Sequence, residues 1–143
     1  MYKVIIIEDD PMVASINKQY VELTSSFHVE ATFKNGILAL QYLQNCTVDL
    51  IILDYYTPQM NGDEFIDQLH AAGMTPAIIM VTSANDAETV RRLISRGVTD
   101  YLVKPFEYDR FKAALERFAK RQEELKTSTS ASDLGQAEID RLF

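Results

Sequence analysis

Short apolar runs that end in turn or acidic residues alternate five times with stretches of helical period, with no convincing hairpin signal between them. That alternation is the mark of an α/β sheet. It predicts strands over residues 3–7, 28–33, 50–53, 77–81 and 101–103. The first, third and fourth are unrelieved apolar runs, as expected when helices cover both faces of a parallel sheet, so they are expected to be central.

The intervening segments carry their own start and stop signals. Asp10 is placed to cap a first helix with Pro11 at its first position, and Val13, Ile16, Tyr20 and Leu23 recur at helical spacing behind it. Residues 36–44 carry Ile37, Leu40 and Leu43; residues 62–72 carry Phe65, Ile66 and Leu69 and stop near Gly73. Residues 86–96 show Val90, Leu93 and Ile94, followed by Gly97 as a left-handed cap. A last helix from about Tyr108 toward Leu125 runs on Phe111, Leu115 and Phe118, longer than the core needs, so its end is expected to project.

A length of 143 residues with 47% apolar and 24% charged residues fits one globular domain and a short tail. The domain is expected over 1–121. The run Thr127-Ser128-Thr129-Ser130-Ala131-Ser132 cannot bury apolar surface, so 122–135 is read as a linker. Residues 136–143 resume a helical spacing on Ile139, Leu142 and Phe143, as the opening of a second domain would. Lys+Arg 14 against Asp+Glu 21, a net charge of −7, argues against direct nucleic-acid binding, which needs clustered cations. Cys46 alone forms neither an internal disulfide nor a multi-cysteine zinc site and suits a reducing compartment. The apolar run from Val4 to Ile7 is far too short for a signal segment or a membrane span and is stopped by Glu8-Asp9-Asp10, so a soluble, cytoplasmic protein without a membrane partner is expected.

In an open parallel sheet the loops leaving the carboxyl ends of the strands converge on one crevice. Strand one ends in Glu8-Asp9, strand three in Asp54, strand four in Thr82-Ser83 and strand five in Lys104-Pro105. Each feature alone is an ordinary turn or cap, but together they bring three carboxylates, a hydroxyl and an ammonium to one edge. Clustered carboxylates repel and raise one another's pKa, so the set calls for a counter-ion. Hard oxygen ligands suit Mg2+, which binds one or two carboxylates plus a phosphoryl group. A carboxylate beside Mg2+ and a lysine is a reasonable nucleophile toward phosphorus, giving an acyl phosphate.

Four segments, from Val4 to Pro11, Leu50 to Gly62, Ile79 to Ala84 and Gly97 to Phe106, resemble in order and spacing the receiver domain of two-component response regulators, over about residues 1–121. The resemblance implies a flavodoxin-like doubly wound (βα)5 α/β fold, a five-stranded parallel sheet in order 2-1-3-4-5. Asp54 matches the phosphoacceptor, Asp9 the direct metal ligand and Glu8 a ligand acting through water, while Tyr56 would supply its backbone carbonyl. Lys104 matches the lysine that pairs with the phosphoryl oxygens, Thr82 the hydroxyl that follows the phosphoryl group, and Tyr101 the aromatic that turns inward with it. Lys104-Pro105 matches a peptide bond usually found cis. Thr57 departs from the pattern, which has Met or Leu there, and Tyr55-Tyr56 is a bulky pair beside the acceptor. The tail from Gly135 to Phe143 is similar to the start of the helix-turn-helix output region of regulators responding to citrate or C4-dicarboxylates.

The partner so implied is a sensor histidine kinase, with DNA reached only through an output domain largely outside this chain. The only reaction implied is the domain's own phosphoryl transfer and slow autodephosphorylation, not that of an enzyme. Two alternatives are a degenerate or stand-alone receiver serving as a protein interaction module, against which the intact acids, Thr82 and Lys104 argue, and a haloacid-dehalogenase-like phosphohydrolase. The latter needs a second acid two residues after its nucleophile, where Tyr56 stands. A flavodoxin-like flavin protein would need a loop rich in Ser, Thr and Gly where Glu8-Asp9-Asp10 repels phosphate. Arg91, Arg92 and Arg96 on helix four and Asp100, Glu107, Asp109 and Glu116 on the next two elements give a face of both charge signs, through which a homodimer is expected.

Overall fold

A computed structural model of the chain describes residues 1–129 and 134–142. The elements run β1 (Tyr2–Ile7), α1 (Pro11–Leu23), β2 (Phe27–Phe33), α2 (Gly36–Leu43), β3 (Leu50–Leu53), α3 (Gly62–Ala71), β4 (Ala77–Thr82), α4 (Ala87–Ser95), β5 (Asp100–Val103), α5 (Tyr108–Thr129) and α6 (Gln136–Leu142). The five strands form one parallel sheet in the order β2-β1-β3-β4-β5. The three apolar runs are therefore the inner strands, and all four residues of β3 are buried.

Period-two alternation divides the core between the two faces of the sheet. Val4, Ile6, Leu50, Ile52, Ile79 and Val81 pack with Val21 of α1 and with Phe111, Leu115 and Phe118 of α5. Ile5, Ile7, Ile51, Leu53, Ile78 and Met80 pack on the other side with Ala39 and Leu43 of α2, Phe65, Ile66 and Leu69 of α3, and Leu93 of α4. Asp10 caps α1 by accepting from the backbone N–H of Met12 and Val13, with Pro11 at the first position, as the sequence predicts. Gly97 adopts a left-handed φ of 90°, which frees the chain to turn from α4 into β5.

Three helical stripes differ from expectation. In α1 the buried residues are Ala14, Asn17 and Val21, whereas Ile16 and Leu23 are exposed, Val13 is partly exposed and only Tyr20 of the predicted set packs on the core. The sheet surface under α1 admits a small residue and a polar one, so choosing the most hydrophobic positions rotates the predicted face by about one residue. In α2 Ala39 and Leu43 carry the contact, with Leu40 packed against the same cluster, and Ile37 is 37% exposed; in α4 Leu93 is buried while Ile94 is 58% exposed.

The last long helix passes residue 121 and continues to Thr129, so residues 122–129 are helical. Tyr2 contributes, since its hydroxyl donates to Glu123 Oε1 at 2.8 Å and ties the extension to β1. Residues 130–133 of the expected linker, and Phe143, lie outside the described residues. No helix among the described residues is long and apolar enough to cross a membrane.

Candidate functional site

The carboxyl ends of β1, β3, β4 and β5 meet at one edge because ladder-type hydrogen bonds carry the sheet one residue beyond each strand. Glu8 donates its backbone N–H to Phe33 O (2.9 Å), Asp54 to Ile7 O (3.0 Å) and Lys104 to Thr82 O (2.9 Å). The side chains are thus fixed by backbone geometry before they interact with one another. Carboxylate oxygens of Glu8, Asp9 and Asp54 all lie within 4.8 Å of one another. Glu8 and Asp54 are buried and Asp9 is exposed.

Lys104 reaches across this cluster. Its Nζ donates to Glu8 Oε1 at 2.6 Å and to Asp54 Oδ2 at 3.1 Å, and the peptide bond that follows it, Lys104-Pro105, is cis as expected. Burial pulls the Lys104 ammonium down, but Glu8 and Asp54 more than offset it and hold the group above its ordinary value. Glu8 goes the other way for a carboxylate. Burial pushes it up and Asp54 adds to the effect, so that the opposing contacts from Lys104 and the backbone of Asp10 do not bring it back. One ammonium therefore serves two buried carboxylates, and at Glu8 it does not offset the effect of burial. The donor set, three carboxylates from two adjacent strands with one face open at Asp9, fits a small hard cation with water in its remaining positions.

The other expected residues surround this centre. Thr82 is fully buried at the end of β4, and its Oγ1 accepts from the backbone N–H of Ala84 at 3.3 Å. Tyr101 lies half-buried on β5, its hydroxyl donating to Ala84 O at 2.5 Å, and burial, followed by nearby acidic groups, pushes its pKa up to about 12. One loop residue, Ala84, thus holds both Thr82 and Tyr101. Tyr56 donates its backbone N–H to Asp54 Oδ1 at 3.2 Å while its ring is 56% exposed, set edge-on to Tyr55. Thr57 is buried and donates its hydroxyl to Met60 O at 2.8 Å, a loop closure that a Met or Leu could not make.

Sequence reading missed a second polar cluster beside the first. The Tyr55 hydroxyl donates to Asp63 Oδ2 (2.7 Å), and Arg92 donates to the same carboxylate through Nε (3.1 Å) and Nη2 (2.8 Å) and to Tyr55 Oη (3.2 Å). Arg96 donates to Asp63 Oδ1 at 3.3 Å and pairs with Asp67. This corrects the expected charged face: Arg92 and Arg96 turn toward α3, and Asp100 is engaged by Arg110 and Arg117 of α5. Of Arg91, Arg92 and Arg96, Arg91 alone is exposed. The available signal was the matched spacing, Asp63 and Asp67 on one helix against Arg92 and Arg96 on another, each pair four residues apart.

Comparison with known proteins agrees with this geometry. Residues 4–116 match the family model described as response regulator receiver domain. Among curated proteins the chain is 37% identical over 142 residues to a protein of Priestia megaterium named probable C4-dicarboxylate response regulator DctR, covering 99% of this chain and 61% of that one. It is 35% identical to the transcriptional regulatory protein DcuR of Escherichia coli (100% and 59% covered) and 34% identical to the transcriptional regulatory protein MalR of Bacillus subtilis (98% and 58%). The chain spans about three-fifths of the length of these relatives. Among solved structures, the response regulatory domain of mrkE from Klebsiella pneumoniae superposes with a TM-score of 0.78 at 24% identity, over 85% of this chain and 98% of that one. A DNA-binding response regulator of the LuxR family from Staphylococcus aureus gives 0.75 at 21% identity, over 82% and 98%. The last two likenesses bear on fold alone; with the family match over residues 4–116, the chain belongs to the response regulator receiver domain family, related to the DctR and DcuR transcriptional regulators.

Proposed function

We propose that this domain accepts a phosphoryl group on Asp54 from the phosphohistidine of a sensor histidine kinase and thereby switches a DNA-binding transcriptional output. The observation that carries the reading is the buried Asp54 carboxylate standing within 4.8 Å of Glu8 and Asp9, with Lys104 bridging from the end of β5. An Asp54 carboxylate oxygen forms the new bond to phosphorus as the bond from phosphorus to the imidazole nitrogen breaks, leaving an acyl phosphate and a free histidine. Glu8, Asp9, Asp54 and the Tyr56 backbone carbonyl would hold Mg2+, whose charge would offset that of the transferring oxygens. Lys104 turns from its carboxylate partners to the new phosphoryl oxygens and makes with them a charge-assisted contact that exists only after transfer.

Thr82 connects chemistry to signal. Its hydroxyl leaves the N–H of Ala84 for a phosphoryl oxygen, and Tyr101, which holds the carbonyl of the same residue, responds. The change is a shift between two arrangements, biased by contacts that only the modified site offers. The relationship to proteins named probable C4-dicarboxylate response regulator DctR supports a kinase that answers to a C4-dicarboxylate. A homodimer through the face of α4, β5 and α5 fits the exposed Arg91 and the apolar Val90, Ile94 and Val103 around Tyr101.

The reading is tested with a beryllium fluoride mimic of the phosphoryl group in the presence of Mg2+, followed by amide chemical shifts. Wild type is expected to shift at Thr82, Ala84 and Tyr101, and Thr82→Ala to bind the mimic yet leave Tyr101 unmoved. Identical spectra of the wild type with and without mimic would refute the proposal.

A further inference from the structure

The helix that follows the Thr82 loop, α4, is held to the body of the domain largely by polar contacts. Of the side chains of α4 only Thr89 and Leu93 are buried, and Ile94 faces solvent. An element with so little buried apolar area opens locally at low free energy. Its lateral anchorage is polar: Arg92 makes a two-pronged contact to Asp63, Arg96 reaches Asp63 and Asp67, and Tyr55 closes the cluster by bonding to both Asp63 and Arg92. Burial pushes the Asp63 carboxyl up, but Arg92, Tyr55 and Arg96 together hold it below the ordinary carboxylate range.

The cluster is also joined to the acceptor. Tyr55 follows Asp54 directly, and its carbonyl accepts from the N–H of Gly62 at 2.9 Å. Its ring fills the space above Gly62 so closely that a Cβ there would lie 2.7 Å from Tyr55 Cδ2. Tyr55 is therefore packed directly against the first turn of α3. On the other side, the loop into α4 hangs on Ala84, bonded to Thr82 and Tyr101, only three residues before the helix begins at Ala87. If Thr82 leaves Ala84 for a phosphoryl oxygen, that loop moves and takes the first turn of α4 with it. The restraint on that motion is the contact of Arg92 with Asp63 and Tyr55.

We infer that Tyr55, Asp63 and Arg92 form a latch that fixes α4 against α3 and opens when Asp54 is modified. The first half stands on the geometry alone; the second rests on the phosphoacceptor reading. The latch makes Tyr55 a positioning residue, placed beside the acceptor but acting on the helix that carries the response.

The test is amide hydrogen exchange of the full chain as wild type, Arg92→Gln and Tyr55→Phe, each with and without beryllium fluoride and Mg2+. Tyr55→Phe keeps the ring against Gly62, which preserves the packing and removes only the hydroxyl. Without mimic, the amides of α4 are expected to exchange about tenfold faster in both variants, the consequence of losing a charge-assisted contact to local opening, with β1 and β3 amides unchanged. With mimic, the variants and wild type are expected to agree within about twofold at α4, because the latch is already open. Wild-type exchange at α4 in both variants would overturn the latch, as would equal acceleration in β1 and β3, which marks general destabilisation. An undiminished difference with mimic bound would overturn its opening. Failure of the mimic to shift Thr82 in the wild type would instead refute the phosphoacceptor reading and the opening with it, while exchange without mimic still decides whether the latch fixes α4.

Discussion

Replacing Glu8 with Gln should stabilise the metal-free domain at neutral pH, although Glu8 bonds to Lys104 at 2.6 Å and lies at the centre of the site. The side chain is 4% exposed, and burial together with Asp54 raises its carboxyl above the ordinary 4.5 despite Lys104 and the backbone of Asp10. A folded-state value above the unfolded one means that the native protein binds the proton more tightly, so the ionised group destabilises the fold. That penalty is absent below about 4.5, grows as pH rises through that value and is complete once pH exceeds the folded-state value. Gln has the same shape and can still accept from Lys104, which retains Asp54 as its counter-charge at 3.1 Å. Relieving one buried, undercompensated charge is worth about 1 kcal/mol, the low end of what removing buried charges contributes. In urea that is a midpoint higher by roughly 0.5–1 M, for a slope of about 1–2 kcal/mol/M. The assay is urea unfolding in chelator at pH 7 and at pH 4.5 or below, where the advantage should fade. Adding Mg2+ should then reverse the order, because a ligand at a hundred times its Kd stabilises by about 2.7 kcal/mol and the variant has lost a ligating carboxylate. A Glu8→Gln domain less stable than wild type in chelator at pH 7, or a difference independent of pH, would refute the reasoning.

Gly62→Ala should cost about 1–3 kcal/mol, since the added methyl meets Tyr55 Cδ2 at 2.7 Å and Met80 Cε at 3.4 Å in a packed core; thermal unfolding measures it, and a neutral substitution would mean that Tyr55 moves freely. Asp63 is held below its ordinary 3.8, so the stability it contributes is present above that value and is lost as pH falls through its folded-state value. The stability difference between wild type and Asp63→Asn should accordingly narrow below about pH 4, and a difference constant from pH 7 to 3 would contradict the assignment. Modification by beryllium fluoride should promote a homodimer that weakens with added salt and is lost in Arg91→Glu; sedentation as a monomer at high micromolar concentration in both states, measured by analytical ultracentrifugation, would remove the dimer.

What the sequence revealed depended on how local the signal was. The choice of β1, β3 and β4 as interior strands, the Asp10-Pro11 cap and the placement of Glu8, Asp54, Thr82 and Lys104 at strand ends all follow from short-range patterns, and the structure places them so; the strand order itself came with the family resemblance. The buried face of α1 was not legible, because it is set by what the sheet beneath will accept, and Asn17 occupies a position that hydrophobicity assigns to Ile16. Asn17 Oδ1 is buried without a partner among the described residues, a cost no periodicity scan anticipates. The last helix reaches Thr129 although Thr and Ser from 127 onward read as linker, because good helix formers at Glu123, Glu124, Leu125 and Lys126 carry it that far and Tyr2 ties it to β1 at Glu123. The cluster around Asp63 is a tertiary contact between residues 29 apart, visible only once α3 and α4 lie side by side.

The central claim, that Asp54 is the phosphoacceptor, is tested most directly by the intact mass of the protein after incubation with a small phosphodonor and Mg2+. The account predicts one added phosphoryl group in the wild type, labile to hydroxylamine, and none in Asp54→Asn or in excess chelator. A wild type that remains unmodified, or an Asp54→Asn variant labelled as fully as the wild type, would contradict it.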